Sequence, residues 1–353
     1  MATISVLGVP CVYDLTAPTS SNSVLVFVHG WLLSRSYWRP VIEALSPTYQ
    51  CLSYDLRGFG ESPAYPTWAD ESSESSQVNN HPLTAHDLVK NHGTSSTTIV
   101  PADAAQLAPA SATERSHDRF LNDQLPAQPN HHQPEPQFQQ ASYTPAAYAK
   151  DLAVLLQQLK LDQVWLVGHS LGGTIALWAA NQLPNLVRGV ICLNAGGGIY
   201  LKEDFDRFRA AGQQLLKLRP RWLCHLPLID LLFTRSTVAR PISRDWGKQR
   251  LIDFVAAHPE AALGSLLDST TEAEVHCLPQ VVARLTQPVY FMAGSQDPVM
   301  EPRYVKHLAS FHSLFGTCGD NVIEIPDCGH MVMLEQPSLV TLEIHKILQQ
   351  FGH

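Results

Sequence analysis

Residues 164–180, VWLVGHSLGGTIALWAA, carry the strongest structural signal in this chain. The apolar run 164–167 is typical of a buried β-strand, and the run from Thr174 onward is typical of a helix. The pentapeptide GHSLG at 168–172 connects them, and its glycines lack the Cβ atoms that would collide where a strand turns abruptly into a helix. The segment therefore predicts a strand, a strained tight turn and a helix, with Ser170 exposed at the turn.

Ser170 has the setting of a nucleophile. At the N-terminus of a helix, nearby backbone N–H groups and the helix dipole favour the negative charge that develops when a hydroxyl attacks a carbonyl. A serine hydroxyl is a weak nucleophile, so this chemistry also requires a histidine base and a carboxylate that orients the base. Without such partners, the pentapeptide would be an ordinary Gly-Ser turn.

Both partners follow later in the chain, each after a short apolar run. Residues 288–294, PVYFMAG, predict a strand, and Asp297 comes three residues after it. Residues 322–325, VIEI, predict another strand, and His330 follows in the turn DCGH. The order serine, aspartate, histidine along the chain differs from the orders in two unrelated protease folds. The pattern predicts that Ser170, Asp297 and His330 act together.

The chain resembles the α/β-hydrolase fold superfamily, in particular its esterase-like and lipase-like members with a helical cap. Besides the Ser170 pentapeptide, the similarity rests on 24–31 (VLVFVHGW), 54–62 (YDLRGFGES) and 329–337, where Gly-His is followed by Glu-Gln-Pro. The resemblance implies an α/β fold: a mainly parallel, doubly wound β-sheet flanked by helices, with a helical cap. It also implies that the backbone N–H groups of Trp31 and Leu171 form the oxyanion hole, where two aligned donors stabilise the transition state.

Other polar residues near these motifs are expected to have structural roles. His29 and Gly30 resemble the family's loop-bracing residues, and His169 is expected to pack or to line the pocket. The remaining acidic and basic candidates are expected to be turn, ion-pair or solvated groups: Asp55, Arg57, Glu301, Asp320 and Asp327.

Composition excludes several classes of function. The 353-residue chain is 45% hydrophobic, which is enough for one large core, and its formal charge of −8 argues against a nucleic-acid partner. No apolar run reaches the length of about 18 residues that spans a bilayer, and no leader is recognisable, so we expect a cytoplasmic protein. Seven cysteines without paired spacing favour reduced thiols. We expect neither a cofactor nor a metal site, since the histidines between 81 and 132 are irregularly spaced.

Short apolar runs alternate with helical patterns, as in a parallel sheet covered on both faces. Amphipathic spacing predicts a helix at 148–159, immediately before the strand that carries Ser170, and a closing helix at 339–348. The predicted strands are 24–28, 51–54, 164–167, 190–193, 289–293 and 322–325.

The chain divides into a core and two insertions. Residues 1–65, 144–195 and 279–353 predict the α/β-hydrolase core. Residues 66–143 are rich in Ser, Asn, Gln, His and Pro and predict a disordered insertion, which could act as a flap or have no function. Residues 196–278 predict a helical cap.

The predicted cap mixes apolar and basic residues, and three interpretations stay open. Its helices could wall an apolar pocket, they could rest on a membrane surface and give access to lipid esters, or they could pack on their own core with solvated arginines. Gly-Gly-Gly at 196–198 is interpreted as a hinge or tight turn.

These features predict a serine hydrolase that cleaves a carboxylic ester with a small to medium acyl group or a lipid-like substrate. The expected partner is a small-molecule ester with an apolar portion, with peripheral membrane contact through the cap as an additional hypothesis. One alternative is hydrolysis or elimination at a carbon–carbon bond of a diketone-like metabolite, since the same triad does not determine the reaction. The other is a non-catalytic ligand-binding or scaffold protein with the same fold.

Overall fold

A mixed, mainly parallel β-sheet forms the centre of the structure. The computed structural model describes residues 1–66, 142–195, 202–217, 219–317 and 319–352. Within these residues eight strands form one sheet in the order β1-β2-β4-β3-β5-β6-β7-β8. The hairpin β1-β2 is antiparallel, β2 is antiparallel to β4, and all other neighbours are parallel. The strands are β1 (Ala2–Val6), β2 (Val9–Leu15), β3 (Val24–Val28), β4 (Gln50–Tyr54), β5 (Val164–His169), β6 (Val187–Leu193), β7 (Val289–Gly294) and β8 (Val322–Ile325).

All six strands predicted from apolar runs are present, whereas the first hairpin was not predicted. Most residues of β1 are exposed, so this strand lacks the apolar run that marks a buried strand. The two turn residues, Leu7 and Gly8, both have positive φ, as tight hairpin turns require. Leucine is an unusual residue in that conformation, so the sequence carries a weak turn signal here.

Helices cover both faces of the sheet, as the fold class predicts. Along β3, Leu25 and Phe27 face one apolar cluster, and Val26 and Val28 face the other. This alternation follows from the two-residue period of a strand. In the described residues the α-helices are α1 (Arg39–Leu45), α2 (Pro145–Gln158), α3 (Leu171–Gln182), α4 (Lys202–Lys217), α5 (Asp230–Phe233), α6 (Arg244–Ala256), α7 (Pro259–Ser269), α8 (Glu272–Arg284), α9 (Pro302–Ala309), α10 (Val332–Glu335) and α11 (Pro337–Gln350).

The helices predicted before β5 and at the end of the chain both begin earlier than their apolar periodicity indicated. Helix α2 begins at Pro145, and the Thr144 hydroxyl accepts a hydrogen bond from the Ala147 N–H at 3.2 Å. Helix α11 begins at Pro337. Proline suits the first helical position because its missing N–H would be unpaired there, so in both cases the proline marks the start better than the apolar stripe does.

Between β6 and β7 the chain forms α4 to α8, in the region predicted as a helical cap. The predicted boundary after residue 278 lies within α8, which spans Glu272–Arg284. The predicted disordered insertion at 66–143 lies outside the described residues except at its ends, and so does the glycine turn at 196–198. Among the described helices none is both long and apolar enough to cross a membrane.

Candidate active site

Ser170 stands on a sharp turn between β5 and α3. Its backbone has φ 53° and ψ −119°, a conformation that costs a non-glycine residue about 1–3 kcal/mol. A Cβ on Gly168 would overlap the Gly172 carbonyl, and a Cβ on Gly172 would overlap the Val28 carbonyl oxygen. The Ser170 N–H donates to the Leu193 carbonyl at 2.9 Å, which ties the turn to β6. The two glycines therefore let the turn approach its neighbours closely enough to hold Ser170 in strained geometry.

His330 and Asp297 form a buried hydrogen-bonded pair. The His330 Nδ1 lies 2.7 Å from Asp297 Oδ2, and the two residues are 8% and 3% exposed. The other oxygen, Asp297 Oδ1, accepts the backbone N–H groups of Val299 and Met300 at 2.8 and 2.9 Å. Since these bonds fix the carboxylate, Asp297 holds the proton of His330 on Nδ1 and leaves Nε2 as an acceptor.

The loop that carries His330 is held by Asn194, which the sequence analysis did not single out, and by Glu335, which it quoted only as part of the motif at 329–337. The amide of Asn194 at the end of β6 donates to the Gly329 and His330 carbonyls, both at 2.8 Å. Glu335 accepts the backbone N–H groups of Gly329 at 3.0 Å and Met331 at 3.1 Å. Glu335 binds the backbone on each side of His330, and Asn194 binds the carbonyls of Gly329 and of His330 itself, so both side chains orient the imidazole through its main chain.

The loop after β3 is held by His29. Its Nδ1 donates to the Gly30 carbonyl at 2.8 Å, and its Nε2 accepts the Leu56 N–H at 2.9 Å. His29 is fully buried, and burial lowers its pKa, which agrees with a neutral ring that donates once and accepts once. Within the described part of the chain, no hydrogen bond engages the backbone N–H of Trp31 or of Leu171. Both N–H groups are therefore available to a ligand.

A buried ion pair anchors the same loop to the end of β4. The Arg35 N–H donates to Asp55 Oδ1 at 2.7 Å, and the Arg35 guanidinium pairs with Asp55 Oδ2. The carboxylate of Asp55 also accepts the Glu61 N–H at 2.9 Å. Asp55 is fully buried and the Arg35 side chain is nearly so, which limits solvent screening of the pair. The expected ion-pair role of Asp55 is thus observed, with Arg35 as its partner.

His169 lies beside His330. Its Nε2 donates to the His330 carbonyl at 2.7 Å, and the two ring centroids are 4.8 Å apart. Burial, with the nearby His330 as a smaller cause, lowers the pKa of His169 well below its ordinary value, so the ring is neutral. His169 therefore lines the cavity as a neutral ring engaged with a carbonyl, as the sequence analysis expected.

A cavity of about 630 Å³ joins these groups. Ser170, His330, Trp31, Leu171 and His169 all contribute to its lining. The remaining wall comes mainly from apolar residues of the predicted cap and of nearby loops, including Phe208, Leu215, Phe233, Phe254, Leu266, Leu278 and Met300. A pocket of this size with few polar groups suits a small organic ligand with an apolar portion.

Two arginines of the predicted cap bind helix ends. Arg219 donates to the Phe254 and Ala257 carbonyls at 3.1 and 2.6 Å, at the C-terminus of α6. Arg209 donates to the Leu267 carbonyl at 3.0 Å, near the C-terminus of α7. Unpaired carbonyls at a helix C-terminus attract cations, so both residues stabilise the cap internally. Trp222, Leu228 and Leu232 are 60–65% exposed, and contact of this surface with a membrane stays a prediction from the sequence.

The other charged residues considered as alternatives, Asp327, Glu301, Asp320 and Arg57, form no hydrogen bond or ion pair with His330. Asp327 adopts φ 51° in a turn and pairs with exposed Arg240 at 2.9 Å. Glu301 precedes α9 and pairs with Arg303 at 2.9 Å, and Asp320 is exposed. Arg57 pairs with Asp151 at 3.0 Å. These positions agree with turn and ion-pair functions.

A buried carboxyl, Asp253, connects the cap to the loop after β3. Its Oδ2 accepts the Ser34 hydroxyl at 2.9 Å, and its Oδ1 accepts the Gln249 amide at 3.0 Å. Burial raises the pKa of Asp253 from 3.8 to about 6 despite these hydrogen bonds. The folded protein therefore holds this proton more tightly than the unfolded chain does.

We expect Asp253→Asn to change the pH dependence of stability. In the wild type, the contribution of this group to the free energy of unfolding is full below about pH 4 and is lost as pH rises through about 6. The asparagine side chain does not titrate, so the stability of the variant relative to wild type should increase by about 2–3 kcal/mol between pH 4 and pH 7. Urea unfolding at both pH values measures this change, and parallel pH profiles for the two proteins would contradict it.

Comparison with known proteins shows the family of the chain. Residues 23–337 match the family model described as alpha/beta hydrolase fold. "Uncharacterized protein Rv2715" of Mycobacterium tuberculosis is 47% identical over 184 residues, which cover 48% of this chain and 52% of that protein. The chain thus spans about half the length of this relative. The 2-succinyl-6-hydroxy-2,4-cyclohexadiene-1-carboxylate synthase of Serratia proteamaculans is 26% identical over 57% of this chain and 74% of that protein.

Solved structures share the fold at lower identity. A thermophilic esterase from Thermogutta terrifontis superimposes with a TM-score of 0.61 at 18% identity, covering 99% of each chain. At that identity the likeness shows the architecture alone.

Proposed function

Because the chain belongs to the alpha/beta hydrolase fold family, we propose that it is a cofactor-independent serine hydrolase that cleaves a carboxylic ester. One observation carries the proposal: the His330–Asp297 pair, at 2.7 Å, is buried beside a cavity that Ser170 and His330 both line. This arrangement supplies a nucleophile, a base with a defined tautomer and a place for the substrate.

In the proposed reaction, His330 Nε2 takes the proton of Ser170 as the serine oxygen bonds to the ester carbonyl carbon. The carbonyl oxygen gains the electron pair and accepts the N–H groups of Trp31 and Leu171. When the tetrahedral intermediate collapses, the ester C–O bond breaks, and the leaving alcohol takes the proton from His330. A water molecule then attacks the acyl-serine with the same proton transfers, which releases the acid and restores Ser170.

The size and the apolar wall of the cavity restrict the class of ester more than its polar groups do. Its apolar wall favours an ester with a short or medium acyl chain or an aromatic group, since each buried methylene contributes about 0.8 kcal/mol. Hydrolysis of 4-nitrophenyl esters from acetate to laurate tests this proposal. We expect kcat/KM to rise with acyl length and then fall once the chain exceeds the cavity. Absence of hydrolysis across the series by folded protein would reject the proposed ester substrate.

A second candidate reaction has one observation in its favour. The Serratia relative is named a synthase and not an esterase, so a relative of this chain carries a different activity. If Ser170 reacts with a fluorophosphonate but no ester is cleaved, carbon–carbon hydrolysis or elimination becomes the better proposal. An unreactive Ser170 in folded protein would favour a non-catalytic, ligand-binding role.

A further inference from the structure

A buried arginine without a carboxylate partner lines the same cavity. Arg250 lies on α6, is 9% exposed, and contributes to the wall that also contains Ser170 and His330. Within the described part of the chain, no carboxylate forms an ion pair with its guanidinium. A buried charge is costly unless it is paired, so a counter-charge at this position would be strongly favoured.

The guanidinium of Arg250 binds three residues of the cavity wall. Its Nη1 donates to the Phe233 and Ser236 carbonyls, both at 2.7 Å, and its Nη2 donates to the Thr237 hydroxyl at 3.1 Å. All three partners also line the cavity. They are neutral, and they use three of the five N–H groups of the guanidinium. Its two other N–H groups have no partner among the described residues, so they can bind an anion.

Other arginines of the cap either do not line the cavity or are paired with a carboxylate. Arg209 and Arg219 also bind helix-end carbonyls, but neither is among the described residues that line the cavity. Arg244 is paired with Asp230 at 2.5 Å. Arg250 combines a place in the cavity wall with a guanidinium that no described carboxylate contacts directly, although Glu335 acts on it from a longer distance.

Besides His330, two other ionisable groups of the cavity favour one position for an anion. Glu274 lies on α8 and accepts the Trp178 indole N–H at 2.5 Å. It would repel an anion near α8, whereas His169 is neutral. An anionic group in the cavity would therefore bind at Arg250, on the side of the loop 233–237.

We propose that Arg250 binds a carboxylate that the substrate carries in addition to its ester group. This inference rests on the proposed function and narrows the substrate class to esters with an apolar chain that ends in a carboxylate. Arginine suits this partner because its planar fork can donate two parallel hydrogen bonds to the two carboxylate oxygens. The Thr237 carbonyl accepts the His330 N–H at 2.8 Å. Thr237 therefore contacts both Arg250, through its hydroxyl, and the loop that carries His330, through its carbonyl.

A matched pair of substrates tests the charge preference directly. Mono-4-nitrophenyl suberate and its methyl ester have the same reacting group and nearly the same chain, but only the first carries a carboxylate. We expect wild type to prefer the anionic ester by about 10- to 100-fold in kcat/KM, as a hydrogen bond between charged groups implies. Arg250→Met should remove this preference, and Arg250→Lys should retain part of it.

Arg219→Met is the matched control. It removes another cap arginine that binds helix-end carbonyls, so any general loosening of the cap should appear in this variant too, with the ratio of the two rates unchanged. Equal rates for both esters in wild type would overturn the proposal. It would also be overturned if Arg250→Met lowered both rates by the same factor, because the arginine would then be only structural.

Binding to Ser170→Ala separates this inference from the proposed reaction. Calorimetry with monomethyl suberate and dimethyl suberate does not depend on turnover. We expect the carboxylate ligand to bind about 10-fold or more tightly than the neutral diester, and Arg250→Met to abolish the difference. Charge-dependent binding without ester cleavage would support the anion site and reject the proposed reaction, whereas equal binding of the two ligands would reject the anion site.

Discussion

Ser170→Ala should lower kcat/KM for 4-nitrophenyl esters by about 10⁴-fold or more while leaving the fold intact. The substitution removes only the hydroxyl oxygen, and alanine has the same Cβ as serine in the strained turn at φ 53°. The hydrogen bond from the residue 170 N–H to Leu193 is also kept. Parallel measurements of kcat/KM and of the melting temperature separate lost chemistry from lost structure.

Ser310→Ala is the control for this experiment. Ser310 is exposed at the end of α9 and its hydroxyl donates to the His307 carbonyl at 2.6 Å, away from the cavity. We expect activity within about twofold of wild type, as for most exposed substitutions. If Ser170→Ala retained wild-type turnover after purification free of other esterases, Ser170 could not be the nucleophile.

Asp297→Asn should lower kcat by about 10³- to 10⁴-fold with little change in stability. Two backbone N–H groups, those of Val299 and Met300, bind Oδ1 of Asp297 and would select the amide oxygen of the introduced asparagine for that position. The amide nitrogen would then face His330 Nδ1, where it can only donate. His330 would carry its proton on Nε2 and could no longer accept the proton of Ser170.

Asp327→Asn provides the comparison. Asp327 is three residues from His330 but lies in an exposed turn and pairs with Arg240. Its substitution should leave kcat within about twofold, since surface pairs contribute little. A large loss in Asp327→Asn together with near-normal activity in Asp297→Asn would assign the orienting carboxylate to the other aspartate.

Most of the sheet could be predicted because its central strands are buried on both faces. β3, β5 and β7 are continuous apolar runs or nearly so, and such runs are visible in a sequence without knowledge of their neighbours. The hairpin β1-β2 lies at the sheet edge and exposes much of its surface, so its pattern resembles that of a loop. The Ser170 turn was recognisable because close backbone approach demands glycine at 168 and 172.

The groups that hold the site in place were harder to predict, because their roles depend on tertiary contacts. Asn194 and Glu335 act on the His330 loop from positions 136 residues before it and 5 residues after it. Nothing in the local sequence separates Asn194 from a solvated polar residue, and the motif at 329–337 shows that Glu335 is present without showing what it binds. Arg250 and Asp253 are three residues apart on α6, yet one lines the cavity and the other binds Ser34. Only the packing of α6 against the core separates these two environments.

What the cap arginines bind also depends on how the helices pack. From the sequence, Arg209, Arg219 and Arg235 were equivalent basic residues among apolar ones. In the structure, Arg209 and Arg219 reach carbonyls at the ends of two different helices. A sequence shows that a long basic side chain is present, but not which helix end it can reach.

Covalent labelling tests most directly the claim that Ser170 is an activated nucleophile. The folded protein would be incubated with a fluorophosphonate, and its intact mass and labelled peptide would be determined beside Ser170→Ala and Asp297→Asn. We expect one adduct per chain, located on Ser170, absent from Ser170→Ala and formed much more slowly in Asp297→Asn. A folded wild-type protein that remained unlabelled, or that carried the adduct on another residue, would contradict that claim.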